Sequence, residues 1–111
     1  MMRLSRLAGY KPIIICLLLV ALTSLAYWQV RDHQFITCDD DMYVYENPEV
    51  RAGLTWPGVK WSFTAYHSAN WHPLTWLSHL LDCQLYGLQP RGHHLTNLLF
   101  HLANTLLLFL F

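Results

Sequence analysis

The chain of 111 residues is 54% hydrophobic and only 13% charged, which excludes an ordinary small soluble domain. Seven Lys and Arg balance seven Asp and Glu, and no basic run interrupts the middle of the chain, which excludes a nucleic-acid surface. Three cysteines without a C-x-x-C spacing make neither a disulfide framework nor a zinc finger.

Residues 1–12 carry Arg3, Arg6 and Lys11 with no acid among them. Residues 13–30, IIICLLLVALTSLAYWQV, have no charge. As a helix they span about 27 Å, close to the roughly 30 Å of a hydrocarbon core. The basic flank holds the N-terminus in the cytoplasm, and Tyr27 and Trp28 suit the far interface. A cleaved signal peptide has the same pattern, because Ser24, Leu25 and Ala26 resemble a small-x-small cleavage site. Under either reading, the chain from Arg31 onward is delivered outside the cytoplasm.

Residues 31–94 then form an extracytoplasmic loop. It opens on FITCDDDMYVYENPEV, with Asp39, Asp40 and Asp41 side by side. One reading is a solvated turn, where Asp is at home. The other is catalytic: adjacent carboxylates raise one another's pKa, and a transfer reaction at a membrane surface needs a base. Carboxylates also suit a hard divalent cation.

Asn47-Pro48 and Gly53 mark turns. Thr55 then caps a short helix over about 56–66, with Pro57 in its first turn. A second helix is predicted over 73–86, with Asn70 or His72 as cap, Pro73 in the first turn, Gly87 as stop and Pro90 beyond it. Leu74, Leu77, Leu81 and Leu85 share one face of it, widened by Trp76 and Leu80. Thr75, His79, Asp82 and Tyr86 share the opposite face. Such a helix suits a bilayer surface or the flank of other spans. Trp56, Trp61, Trp71 and Trp76 suit sugar stacking, interfacial anchoring or a core. Cys38 and Cys83 share this segment, and a bond between them is open.

Residues 95–111, LTNLLFHLANTLLLFLF, read as the start of a second transmembrane helix that the sequence leaves incomplete. His94, Asn97, His101 and Asn104 follow 3-4-3 spacing and so form one polar stripe on it. In a bilayer such a stripe faces a cavity or partner helices. The seven histidines form no H-E-x-x-H or finger spacing, so no metal ligands are assigned from pattern.

CDDDMYVYENPEVRAGLTWPGVKWSF, followed by ANWHPLTWLSHLLDCQLYGLQPRGHHLTNLLFHLANTLLLFLF, resembles the N-terminal part of bacterial polytopic membrane proteins with C-terminal tetratricopeptide repeats. These are similar to the transmembrane-and-tetratricopeptide O-mannosyltransferases of the GT-C class of lipid-phosphate-sugar-dependent glycosyltransferases. The resemblance covers Phe35 to Phe111 and rests on DD, YV, NP, NWHPLTWLSH and GHHLTNLLFH.

The resemblance implies an uncleaved anchor in a bacterial inner membrane, a cytoplasmic N-terminus and a periplasmic 31–94 loop. It implies a catalytic base at Asp39 or Asp40. Asp41 carries less weight because the family often has proline there, and Cys38 replaces a usual aromatic, which weakens its pairing with Cys83. His72, His79, His94, Asn97 and His101 become candidate substrate-binding residues, with Arg51, Lys60 and Arg91 as further candidates for the donor phosphate. The donor would be a lipid-phosphate-linked sugar. No cofactor is firmly implied, and a divalent metal is compatible with the carboxylates. The implied partners are the bilayer, further transmembrane helices and a tetratricopeptide repeat domain, with no nucleic acid.

The expected architecture is thus an all-α membrane protein. One complete and one truncated transmembrane helix are joined by an extracytoplasmic loop with two short amphipathic helices. On this reading the chain is an N-terminal piece, inactive alone, of an enzyme moving sugar to a protein or glycan hydroxyl. The rivals are a non-enzymatic tetratricopeptide-repeat scaffold and a small two-span subunit of a membrane complex.

Overall fold

The computed structural model describes residues 2–111, with side chains described from Tyr10 onward. The basic side chains Arg3 and Arg6 lie outside that description. Helix α1, Met2–Tyr27, is dominated by Leu, Ile and Ala, and a 3-10 turn at Trp28–Asp32 tightens its end. The stretch Tyr10–Asp32 is long and apolar enough to cross a membrane, the single such helix among the described residues. Its Leu17, Leu22 and Leu25 stand more than half exposed.

After Asp32 the chain builds a compact unit over Arg31–Thr96. Asp41–Tyr45 makes one wide π-turn, and Glu46 N donates to Asp41 O across it at 2.8 Å. The Asn47-Pro48 pair, expected as a turn, instead starts the short helix α2, Pro48–Arg51. Asn47 Oδ1 accepts from Glu49 N and Val50 N at 3.1 and 3.3 Å, and proline at the first helical position loses no needed donor. Gly53 then turns the chain at φ +75°, in the left-handed region.

Helix α3, Trp56–Thr64, carries the expected cap: Thr55 Oγ1 accepts from Gly58 N at 3.1 Å. Helix α4, Pro73–Tyr86, has the predicted bounds, and Gly87 ends it at φ +60°. Neither expected cap acts there. His72 stands at the cap position without a side-chain bond to the helix, and Asn70 Nδ2 donates to Tyr43 Oη at 3.0 Å. Pro90, expected only to follow the stop, opens helix α5, Pro90–Leu110, so this helix begins earlier than Leu95.

The core of the Arg31–Thr96 unit gathers Val44, Val50, Trp76 and Cys83, with Phe35, Tyr43 and Trp61 packed against it. Trp76 is 0% exposed. Its ring stacks on Tyr43 at 4.8 Å and meets Trp61 edge-on at 5.1 Å. The inward face of α4 is therefore Trp76, Leu80 and Cys83, at 4-3 spacing. The predicted leucine stripe runs elsewhere, and Leu74, Leu81 and Leu85 stand exposed. The large indole, with aromatic partners on two other segments, takes the interior in place of the leucines. Cys38 is exposed and Cys83 buried in this core, both as free thiols, so the bond left open between them does not form.

A second unit combines the chain through Val30 with Asn97–Phe111. Within it Tyr27 and His101 meet edge-on, ring centroids 5.1 Å apart. The second transmembrane helix expected over 95–111 finds only partial support. α5 is long enough, but its histidines and asparagines keep it short of the apolarity that α1 reaches. Apart from an isolated bridge between His67 and Asn70, the regular structure of the described residues is helical.

Candidate functional site

The acidic triplet sits at the entrance to the π-turn. Asp39 O accepts from Tyr43 N at 2.9 Å, which leaves the Asp39 side chain exposed. Asp40 Oδ2 accepts from Ile36 N at 3.0 Å, and Asp41 Oδ1 accepts from Met42 N at 2.8 Å. Short acidic side chains bonding their own local backbone are the usual way Asp shapes a turn.

Of the two aspartates that sequence leaves as alternatives, Asp40 is the one that lines a groove. The groove is shallow and open, about 510 Å³, and is walled by His33, Gln34, Phe35, Ile36, Asp40 and His94. The ring of His94 lies 6.4 Å from His33 and 6.1 Å from Phe35. A groove lined by one carboxylate, two imidazoles and the apolar Phe35 and Ile36 can hold a polar ligand, whose proton the carboxylate can accept.

The other expected binding residues scatter. His72 and His79 belong to the aromatic cluster around Trp76, at ring distances of 4.8 and 6.2 Å from it. Asn97 and His101 fall in the other unit, both exposed, as is Asn104 of the same stripe. Arg51, Lys60 and Arg91 are exposed and none lines the groove. Trp56 and Trp71 are exposed, while Trp61 and Trp76 build the core.

A second constellation lies where α4 meets the first turns of α5. Asp82 is buried at 3% exposure and accepts a 2.6 Å bond on Oδ1 from Thr96 Oγ1. His93, at 4% exposure, bonds through Nε2 to Gly87 O at 2.9 Å. The other nitrogen of His93, Nδ1, is 3.8 Å from Asp82 Oδ2 and has no hydrogen-bond partner. His79 stands one turn before Asp82 on α4. One ligand atom each from His79, Asp82 and His93 lie within 4.8 Å of one another.

The electrostatics of this cluster follow from burial. Burial above all, then His93, lowers His79 to about 4, so its imidazole is neutral at pH 7, although the charge of Asp40 pulls the other way. Burial raises the Asp82 carboxyl, against the Thr96 bond and His93. Burial also pushes the Cys83 thiol up, aided by Asp82 and opposed by Arg51, which disfavours its thiolate.

The sequence alone puts His79 and Asp82 on one face of α4 and gives His93 no role of its own. The readable signal was the i, i+3 pair His79 and Asp82, which puts both on one side of α4. The contribution of His93 depends on α5 folding back from Gly87, and no spacing contains that. Comparison with protein-family models, with curated proteins and with solved structures finds no match, so the chemistry of these residues has to speak for itself.

Proposed function

We propose that the Arg31–Thr96 unit is the acidic extracytoplasmic loop of a membrane glycosyltransferase of the GT-C kind. The transfer would run from a lipid-phosphate-linked sugar to a protein or glycan hydroxyl. Asp40 is the proposed base. It takes the acceptor's proton as the hydroxyl oxygen attacks the anomeric carbon and the lipid phosphate leaves. His94 and His33 would hydrogen-bond the donor. The carrying observation is the half-buried Asp40 carboxylate in a His-walled groove, a few residues beyond the apolar helix where a lipid-borne donor would lie. In this reading the anchor is uncleaved, the N-terminus is cytoplasmic and the loop is periplasmic. The bilayer, other spans and a repeat domain would complete the cavity.

The test is Asp40→Asn beside Asp39→Asn in native membranes, reading label transferred from a polyprenyl-phosphate sugar. The expected result is at least a hundredfold loss for Asp40→Asn and a small change for Asp39→Asn, at equal protein level. Full transfer by Asp40→Asn in a working assay would sink the catalytic reading.

One observation favours a non-enzymatic scaffold or subunit. Leu74, Leu81 and Leu85 present an uncovered apolar stripe on α4, and the bonds of Asp40 and Asp41 are local ones that a structural turn also uses. Transfer that survives both Asn substitutions would move the assignment there.

A further inference from the structure

The facing pair His93 and Asp82 poses a problem of protons. His93 Nε2 is occupied with the Gly87 carbonyl, which only accepts, so Nε2 carries the ring's proton in the neutral imidazole. That leaves Nδ1 as a bare lone pair, buried and without a partner. Opposite it, at 3.8 Å, stands a carboxylate oxygen, also an acceptor. Two buried acceptors facing each other repel. At that separation no N–H···O bond bridges them. What the arrangement lacks is a positive charge between them.

A third donor atom completes the picture. His79 supplies a third ligand atom within the same 4.8 Å set. The second oxygen of Asp82 is already turned by Thr96 at 2.6 Å, as ligating carboxylates are held by an outer hydrogen bond. The Gly87 carbonyl does the same for His93, fixing its tautomer so that Nδ1 is the free nitrogen.

We propose that His79, Asp82 and His93 bind one divalent transition-metal ion of the zinc class, through one nitrogen of each imidazole and one oxygen of the carboxylate. Two imidazoles and a carboxylate match the soft-to-intermediate preference of zinc, and three protein ligands leave the fourth tetrahedral position for water or an anion. Bonds of about 2.0–2.1 Å need ligand atoms roughly 3.3 Å apart, so the set closes by on the order of 1 Å when it binds. The ion would fasten α4 to α5 and add a fixed positive charge inside the loop unit. The assignment is independent of any sugar transfer.

The test uses the whole chain in detergent, stripped with a chelator and titrated with Zn²⁺, bound metal being counted by mass spectrometry after dialysis. The expected result is one ion per chain. His93→Gln and Asp82→Asn should each weaken binding at least a hundredfold, and Thr96→Val about tenfold. His33→Gln should leave it unchanged. Cobalt(II) on the unmodified chain is the second readout, since it does not depend on a variant folding. Tetrahedral ligand-field bands support the site, and the spectrum of hydrated cobalt overturns it. One equivalent retained in both His93→Gln and His79→Gln also overturns it. So does a stripped wild-type chain that takes up no ion.

Discussion

Helix α1 and the Arg31–Thr96 unit are both rich in large apolar side chains, yet they handle them in opposite ways. Along the described part of α1 the isoleucines, and the leucines other than half-buried Leu19, are exposed. In the loop unit a few aliphatic residues are supplemented by Trp76, Tyr43 and Trp61, and buried Asn47, Ser62, Asp82 and His93 share the interior with them. A helix apolar all round matches a hydrocarbon solvent, whereas a small unit in water must combine aromatic area with satisfied polar groups. The lesson is that one composition figure for the whole chain averages two different ways of placing apolar side chains.

If the two regions are stabilised separately, Trp76→Ala should damage one and spare the other. Losing a fully buried Trp costs about 3–5 kcal/mol, enough to collapse the near-ultraviolet circular dichroism of the loop unit. Membrane association of α1 should survive. Loss of both together would mean that the regions fold as one.

The converse substitution is Leu22→Arg. A charge near the middle of a membrane-spanning helix costs roughly 2.5–3.5 kcal/mol of insertion free energy. It is expected to release the chain into the alkaline-extractable fraction while the near-ultraviolet signal of the loop unit is kept. Unchanged extraction would break the contrast, by showing that α1 does not meet lipid.

The smallest effect sharpens the comparison inside the loop unit. His67 and Asn70 close a two-residue hairpin with paired backbone bonds of 2.9 and 3.1 Å. Its central residues Ser68 and Ala69 are both left-handed, at φ +50° and +60°. Asn-Gly suits that turn better than Ser-Ala. The double substitution Ser68→Asn, Ala69→Gly should raise stability by about 1 kcal/mol in thermal melts, with no change in membrane extraction.

Local chemistry made much of the fold readable. Thr55 as a cap, Pro57 and Pro73 in first turns and Gly87 as a stop are decided by backbone donors and φ angles within a few residues, so sequence is enough. The interior side of α4 was not readable. A leucine stripe implies a buried face only when water is the alternative, and here four well-spaced leucines lose to one indole with aromatic partners from other segments. The acidic turn was visible as a candidate, but that Asp40 and not Asp39 lines the groove is not contained in the sequence. The link from His93 to Asp82 was not readable, because the regular stripe of His94, Asn97 and His101 does not include it. His93 stands one residue before that stripe, on another side of α5.

The reach of α5 into the loop unit also sets an order of assembly. Chains emerge N-terminus first, so α4 and its Asp82 are made before their partners on α5. Thr96 follows Asp82 by 14 residues, and until it and His93 emerge the Asp82 carboxylate must stay hydrated. The Arg31–Thr96 unit therefore cannot close when α4 is complete. It closes only once the next helix has begun, so the timetable of folding is written into the first two turns of α5.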